Sequence, residues 1–246
     1  MRKALLLLLF FIVPLWSNAQ IGDHRNDLSI GLNAGLSMAN VGFVPKVTQT
    51  MLPGYTAGLS LRYVCEKYFS TICSVFAELN YTQMGWREDI RDLNSAPVFN
   101  KTTGSYEKYD HILNYIQLPA LAHLAWGNET KGFNFFIEAG PQFGYFITDK
   151  VNATFTKDNA NIDDRANKTI AQVDMAVENK FDYGIAAGIG VEYSVRGLGH
   201  FLLSGRYYYG LANIYGASKS DYFAKSNHNA IQVRLSYLID LTKTKH

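Results

Sequence analysis

Cysteine is scarce in this sequence. Only Cys65 and Cys73 occur among the 246 residues, and two cysteines cannot build the disulfide framework that holds small secreted folds together. Both flank a short segment that we expect to be a turn between two strands. Two alternatives stay open for them: a disulfide across that turn, which an oxidising periplasm permits, or two unrelated small side chains.

Long apolar runs are also missing, except at the start of the chain. No later segment approaches the ~20 apolar residues that a transmembrane helix needs. The early run, Ala4–Val13, follows a basic pair and precedes the small residues Ser17–Ala19. This order is typical of a secretory signal peptide. We therefore predict a signal peptide at residues 1–19 and a single domain at residues 20–246.

The predicted mature chain has no net charge. Arg2 and Lys3 belong to the predicted signal peptide, and of the 23 lysines and arginines 21 remain, against 21 acidic residues. Nucleic-acid binding depends on an excess of basic side chains that neutralise phosphates. The sequence therefore predicts no nucleic-acid partner.

Catalytic and metal-binding motifs are absent as well. The 6 histidines show no ligand spacing among themselves or with cysteine, and no Gly-x-Ser-x-Gly motif occurs. We predict no enzymatic activity, no metal site and no cofactor. The enzymatic alternative is a hydrolase at the rim of the fold, with Asp110, His111, Asp163 and Asp164 as candidate residues.

What the chain does contain is a strict alternation of residue types. In Phe181–Val195 every odd position is apolar or aromatic, and every even position is small or polar. A period of two predicts a β-strand. The glycines of this segment do not form a nucleotide-binding loop, because such a loop leads into a helix. We expect them to face a crowded interior where strands curve.

Seven more segments repeat this pattern, so we predict eight strands. The eight predicted strands, which include Phe181–Val195, centre on Leu28–Ser37, Tyr55–Tyr63, Cys73–Thr82, Tyr115–Trp126, Phe133–Tyr145, Phe181–Val195, Leu203–Leu211 and Ile231–Asp240.

The connections between these strands alternate in length. Short turns are predicted at Cys65–Phe69, Gly127–Gly132 and Arg196–His200. Long polar segments are predicted at Met38–Pro53, Arg87–His111, Thr148–Lys180 and Asn213–Asn227. Short periplasmic turns and long extracellular loops are typical of transmembrane β-barrels. An even number of strands also predicts both termini on the periplasmic side.

Aromatic residues on the apolar positions support a membrane location. The chain has 16 tyrosines and 15 phenylalanines, and many fall near the two ends of the predicted strands, as interfacial girdles do. We therefore predict an all-β fold, an eight-stranded antiparallel transmembrane β-barrel in the outer membrane, in contact with its lipid. The alternative is a soluble barrel of the lipocalin type, whose apolar face points inward.

Charged residues recur on the polar positions of the strands. Eight strands enclose an interior filled by side chains, and buried charges are usually paired. We predict a structural ion-pair network, with Arg62 near Glu78 and Glu192 near Arg206 as diagonal neighbours across the turns. The alternative is a path for protons or ions. The members of the predicted network are Arg62, Glu78, Glu138, Asp182, Glu192, Arg206, Arg234 and Asp240.

Five segments resemble the PorT-like family of outer-membrane β-barrels found in Bacteroidota. They are Glu66–Asp89, Asn114–Gly127, Phe136–Thr148, Phe181–Tyr193 and Gly205–Tyr215. The resemblance implies an eight-stranded outer-membrane barrel, and some members of the family take part in type IX protein secretion. It carries over no catalytic or ligand-binding residues. Gln117 stands where the fourth strand of the family often has Glu, which removes a lumen charge.

The resemblance implies a non-enzymatic envelope protein that supports protein export by contacting export-machinery proteins. The alternative is a structural or surface-interaction barrel without a role in secretion, and a further one is a small-solute channel, which a charged eight-stranded lumen disfavours. The polar segment Lys157–Lys180 is short of large aliphatic residues. It is expected either to move freely or to become ordered on a partner.

Overall fold

The structure is a computed structural model that describes residues 22–128, 131–216 and 221–244. The predicted signal peptide lies outside the described residues. The strands are β1 (Asp23–Val44), β2 (Gln49–Thr50), β3 (Leu52–Tyr68), β4 (Thr71–Glu88), β5 (Phe99–Asn100), β6 (Ser105–Tyr106), β7 (Tyr109–Gly127), β8 (Gly132–Ala153), β9 (Phe181–Val195), β10 (Gly199–Asn213) and β11 (Lys225–Thr242).

Eight long strands close into a ring. The order is β4-β3-β1-β11-β10-β9-β8-β7, and pairing of β4 with β7 completes the circle. All neighbouring strands in the ring are antiparallel. Closure leaves no long edge strand unpaired. The predicted eight-stranded antiparallel barrel is therefore confirmed.

The apolar positions of the strands face outward, as expected for a lipid-facing surface. Leu32 and Leu235 are 64% and 65% exposed on the outside, whereas Asn33 and Arg234 beside them are buried in the lumen. A soluble barrel of the lipocalin type would bury the apolar positions instead. That alternative is wrong for the membrane-facing part of the barrel.

Aromatic side chains mark both ends of this apolar band. Near the short turns, Phe133 contacts Tyr193 with ring centroids 4.7 Å apart, and Phe201 stacks on Tyr237 at 4.8 Å. Two such girdles, one at each membrane interface, are typical of outer-membrane barrels. The members of the outer girdle include Tyr55, Tyr81, Tyr145, Phe181, Tyr183, Tyr207 and Tyr209.

Beyond the outer girdle the alternation inverts. On β1 the inward-facing residues are now apolar, with Ala39, Val41 and Phe43 all buried, and on β4 Met84 and Trp86 are buried in the same way. Here the outside of the barrel meets water rather than lipid, so the apolar side chains turn inward as in a soluble barrel. The outer end of the lumen thus has an apolar core of its own.

This inversion explains a difference from the predicted boundaries. The sequence predicted Met38–Pro53 as a loop, but β1 continues to Val44 and pairs with β11 as far as Lys225. In the same way β8 runs on to Ala153 inside the predicted segment Thr148–Lys180. The outer strand ends were missed because their apolar and polar positions are exchanged relative to the membrane band.

Candidate functional site

The middle of the lumen holds a compact cluster of four charged side chains. Arg206 donates to Glu78 through Nη1 and Nη2 (2.8 and 3.2 Å) and to Glu138 through Nε (2.8 Å). Arg234 donates to the same Glu78 carboxylate at 2.7 Å and to Asn33 at 2.6 Å. All four charged side chains are nearly inaccessible to solvent. We call Glu78, Glu138, Arg206 and Arg234 the central cluster.

A second cluster lies closer to the short turns. Nη1 of Arg62 donates to both carboxylate oxygens of Glu192 at 2.9 Å. His200 lies between two acids, with Nδ1 at 2.6 Å from Glu192 and Nε2 at 3.0 Å from Asp240. We call Arg62, Glu192, His200 and Asp240 the inner cluster. By the rule for outer-membrane barrels, this end of the lumen faces the periplasm.

The pairing within the two clusters differs from the predicted one. Glu78 lies opposite Ser60, which makes Arg62 its diagonal neighbour, yet the guanidinium of Arg62 crosses the lumen to Glu192. Arg206, predicted to pair with Glu192, lies opposite Gly188 and binds Glu78 and Glu138 instead. The prediction followed neighbouring strands, whereas long side chains in a narrow barrel reach across it.

Asp182 stands apart from both clusters. Its Oδ2 accepts a hydrogen bond from the Tyr208 hydroxyl at 2.7 Å, and Oδ1 has no hydrogen-bond partner in the part of the chain that the structure describes. No ion pair joins it to another described residue. The sequence therefore placed Asp182 correctly on the lumen face, but among the described residues it is not a member of the ion-pair network.

Three polar residues of the lumen were missed as members of the network. Asn33 bridges Arg234, Ser60 and Asn80, and Asn80 in turn donates to Glu78. His200, which was assigned to a turn, belongs to the inner cluster. The period-two pattern already put both asparagines on the inward face, so their place on the polar positions of the strands was the signal that could have found them.

His123 is held between two aromatic rings just below the central cluster. Phe76 and Phe136 flank its imidazole at centroid distances of 5.5 and 4.4 Å. Gly190 makes room for Phe136, because a Cβ at this position would overlap the Phe136 ring and lie 2.5 Å from the Leu203 carbonyl oxygen. The crowded interior expected around this glycine is what the structure shows.

The outer core, above the clusters, consists of stacked aromatic side chains. Phe43 contacts Trp86 edge-on at 5.2 Å and Phe223 at 4.7 Å, and Tyr215 packs against both Phe43 and Phe223. Trp86, Tyr215 and Phe223 are fully buried. This packing closes the outer half of the lumen.

Two of the long loops fold over the outer core and form a cap. We use this word for residues 89–108 and 154–180. Arg165 donates to Glu107 at 2.8 Å and lies over the Phe155 ring at 4.5 Å, and both charged side chains are buried. Within Lys157–Lys180, the buried side chains of Arg165 and Gln172 thus pack against the rest of the protein. No periodic pattern in the loops signalled this pair.

The cap is joined to the barrel through Glu88, the last residue of β4. Gln172 of the cap is fully buried and donates to Glu88 at 2.7 Å. Glu88 lies well beyond the outer girdle residue Tyr81 and so outside the membrane. Burial raises the pKa of Glu88 to about 7, against the opposing effects of the Gln172 hydrogen bond and the nearby Arg165 charge. A carboxyl that titrates near neutral pH therefore links barrel and cap.

The four residues of the rim hydrolase alternative are not brought together. Asp110 accepts two hydrogen bonds from Arg87 at 2.7 Å, and His111 pairs with Asp149 at 2.7 Å. Asp164 accepts a hydrogen bond from Asn161, and Asp163 is exposed. Among the described residues no hydrogen bond or ion pair joins Asp110 or His111 to Asp163 or Asp164.

The remaining candidate groups form no site either. Cys65 and Cys73 are both free thiols, so the disulfide alternative is not realised. The reason lies in the register, since an irregularity after Val64 places Glu66 opposite Cys73 and leaves Cys65 unpaired in the ladder. In the described ranges no three His, Cys, Asp or Glu side chains are grouped so as to hold a metal ion. No described helix has the length and apolar character to cross a membrane.

An outward apolar band between two aromatic girdles, combined with a charged and filled lumen, defines a small transmembrane β-barrel of the outer membrane. A family model described as "Outer membrane protein beta-barrel domain" matches residues 18–216. The chain belongs to this family, and its location is the outer membrane. The finer resemblance to PorT-like proteins stays a prediction, because the matching model is the more general one.

Solved structures with a similar arrangement include three outer-membrane proteins. Neisserial surface protein A has 11% identity, covers 87% of this chain and 99% of its own, and gives a TM-score of 0.40. OprG from Pseudomonas aeruginosa has 13% identity, coverages of 89% and 98%, and a TM-score of 0.44. Ail of Yersinia pestis has 12% identity, coverages of 88% and 99%, and a TM-score of 0.36. Among curated proteins, none matches significantly.

Proposed function

We propose that this outer-membrane protein is a non-enzymatic surface barrel, with a lumen sealed by ion pairs and a preformed cap that contacts partners outside the cell. The observation that carries the proposal is the buried Arg165–Glu107 pair. A buried ion pair strongly penalises conformations that separate the two charges. The pair therefore favours one closed arrangement of the cap, and a preformed surface binds at a lower entropic cost than loops that must first become ordered.

The solvent-facing side of the cap carries apolar side chains that the fold does not bury. Leu93 is 87% exposed, and Phe99 and Tyr106 on the β5–β6 hairpin are 47% and 54% exposed. The two rings contact each other edge-on, 5.4 Å apart. Exposed apolar and aromatic side chains are enriched where proteins contact partners.

The test replaces Leu93, Phe99 and Tyr106 together with serine in intact cells. We expect normal barrel assembly and loss of cell attachment to protein-coated or glycan-coated surfaces. The matched control is Leu198→Ser on the periplasmic turn, where Leu198 is 52% exposed. The same attachment by the triple variant, the control and the unchanged protein would overturn the proposal.

A role in protein export is the second candidate function, and the resemblance of five strand segments to PorT-like proteins supports it. In an organism with type IX cargo, deletion of the gene would then leave cargo in the periplasm as unprocessed precursor, with the outer membrane otherwise intact. Normal secretion of the cargo after a clean deletion would exclude the export role, and the surface barrel would remain as the proposed function.

A further inference from the structure

A shallow apolar groove of about 900 Å³ crosses the lipid-facing surface of the barrel. Its lining comes from β3, β1, β11, β10, β9 and β8, which are consecutive in the ring. Outward-facing side chains that are paired from strand to strand form one row along it. The groove therefore runs across the strands, and this row is, in order, Phe133, Tyr193, Phe201, Tyr237, Leu32 and Leu59.

The groove rises from the periplasmic interface to the middle of the membrane. Phe133 and Tyr193 lie beside the short turns, whereas Leu59 lies midway along β3, between Tyr63 near its turn and Tyr55 in the outer girdle. Five steps between neighbouring strands separate the ends of the row, a distance of about 24 Å. Because the strands of such barrels tilt by about 40°, the row gains about 15 Å in height. The groove therefore spans one leaflet of a hydrocarbon core that is about 30 Å thick.

The far end of the groove is lined by small side chains. Ala34 and Ala57 lie directly opposite each other on β1 and β3, and both are exposed on the outside. The larger pair Leu32 and Leu59 lies beside them. A flexible alkyl chain gains dispersion contacts where larger side chains flank smaller ones in this way. Since the groove lies within the lipid-facing band and its outward side chains are all apolar or aromatic, its chemistry fits an acyl chain of a membrane lipid.

Two basic side chains lie at the lower end of the groove. Lys131 immediately precedes β8, Arg196 immediately follows β9, and the pairing of Gly132 with Ser194 brings these strand ends together. Both basic side chains are exposed, and neither has an ion pair with another residue that the structure describes. The turn after β9 contains no acid, and Glu129 of the other turn lies outside the described residues. Long basic side chains reach the headgroup level of a membrane, and a guanidinium matches two phosphate oxygens.

We propose that this groove binds one anionic phospholipid of the periplasmic leaflet. The phosphate of the lipid contacts Arg196 and Lys131, and one acyl chain follows the groove up to Ala34 and Ala57. Head and chain are held together, so this lipid exchanges more slowly than the lipids around the rest of the barrel. It therefore stays with the protein when a mild detergent removes the bulk membrane.

The experiment counts the lipids that stay with the full mature chain. The protein is refolded into vesicles of phosphatidylglycerol and phosphatidylcholine in equal amounts, extracted with a mild non-ionic detergent, and measured by native mass spectrometry. We expect a single retained phosphatidylglycerol per barrel. Its preference over phosphatidylcholine should be at least about fivefold, the effect of one basic side chain near an anionic headgroup. Equal retention of the two lipids, or retention of neither, would overturn the proposal.

A first pair of substitutions tests the headgroup contact. Arg196→Gln combined with Lys131→Gln removes both positive charges from the lower end of the groove, and we expect the preference for phosphatidylglycerol to disappear. The matched control is Lys101→Gln combined with Lys108→Gln, which makes the same change in charge at exposed positions of the cap and leaves the preference intact. An unchanged preference in the Arg196 and Lys131 variant would show that these side chains do not hold the phosphate.

A second pair of substitutions tests the path of the acyl chain. Ala34→Leu combined with Ala57→Leu fills the far end of the groove, and we expect retention of phosphatidylglycerol to fall several-fold. The matched control is Ala122→Leu combined with Ala139→Leu, at two exposed alanines that are also directly opposite each other but lie outside the groove. Equal retention in the two double variants would contradict the proposed path. A loss of protein dimers without a loss of lipid would assign the groove to a second copy of the chain instead.

Discussion

Arg206 and Glu78 are joined across the full width of the barrel. They lie on β10 and β4, which are four positions apart in a ring of eight strands, and two hydrogen bonds of 2.8 and 3.2 Å connect them. Arg62 and Glu192, on β3 and β9, span the ring in the same way. Two crossings of the diameter divide the lumen, so we expect no conductance above background in planar lipid bilayers.

The crossing pair predicts a specific coupling energy. Arg206→Met alone leaves Glu78 and Glu138 with less compensation, and we expect a loss of about 3–5 kcal/mol in unfolding free energy. Combining it with Glu78→Gln should recover part of that loss, because the two changes act within one cluster. Urea unfolding in micelles measures the unfolding free energy of Arg206→Met, of Glu78→Gln and of the double variant. The control pair is Arg206→Met with Glu192→Gln, whose residues belong to different clusters, and we expect their effects on the unfolding free energy to be additive. If Arg206→Met couples with Glu192→Gln and not with Glu78→Gln, the pairing predicted from neighbouring strands is correct instead.

The lipid-facing band predicts a depth-dependent cost for charge. Ile189 is 58% exposed on the outside of β9, between the girdle residues Tyr183 and Tyr193. Ile189→Arg should destabilise the barrel by about 2–4 kcal/mol, measured by reversible unfolding in lipid vesicles. Gln83→Arg, outward on β4 but beyond Tyr81, should cost close to zero. A similar cost at both positions would contradict the assigned band.

The two faces of the sheet predict opposite outcomes for two glycine replacements. Gly190→Ala places a methyl group against the Phe136 ring and the Leu203 carbonyl, and we expect a loss of about 1–3 kcal/mol. Gly205 faces lipid on the adjoining strand, and a Cβ there meets nothing within 4 Å. Gly205→Ala should therefore be neutral or slightly stabilising. Unfolding free energies in the same vesicles decide the comparison, and an equal cost would show that the lumen relaxes around Gly190.

Glu88 predicts that the cap loosens as pH rises. Its pKa is about 7 in the closed cap and about 4.3 when exposed, so the closed form favours the protonated carboxyl. The stabilisation is complete below the exposed pKa and is lost as pH rises through 7, by up to about 4 kcal/mol. Limited proteolysis of Lys157–Lys180 between pH 4 and pH 8 should become faster over this range.

Glu88→Gln is the matched control for that pH dependence. The amide keeps an acceptor for Gln172 but does not titrate, so cleavage of the cap should vary much less between pH 4 and pH 8. The pair His111–Asp149 also lies at the outer end and is unchanged in this variant. An unaltered pH profile in Glu88→Gln would assign the effect to that pair instead.

The sequence by itself determined the strand number, the inward and outward faces, and the location. These follow from local alternation, since each residue of a strand faces either lipid or lumen, and lipid tolerates few polar side chains. Asn33 and Arg234 face the lumen, as their positions in that pattern predicted. The same local rule failed beyond the outer girdle, where water replaces lipid and the two faces exchange their preferences.

Only the tertiary structure decided which charges meet. Whether Arg62 reaches Glu78 or Glu192 depends on the tilt and stagger of strands that lie opposite each other, and no pattern within a strand encodes that relation. The same holds for the Arg165–Glu107 pair, whose residues are 58 positions apart in two loops. Contacts across a closed barrel depend on how the ring closes, so they became visible only once all eight strands were in place.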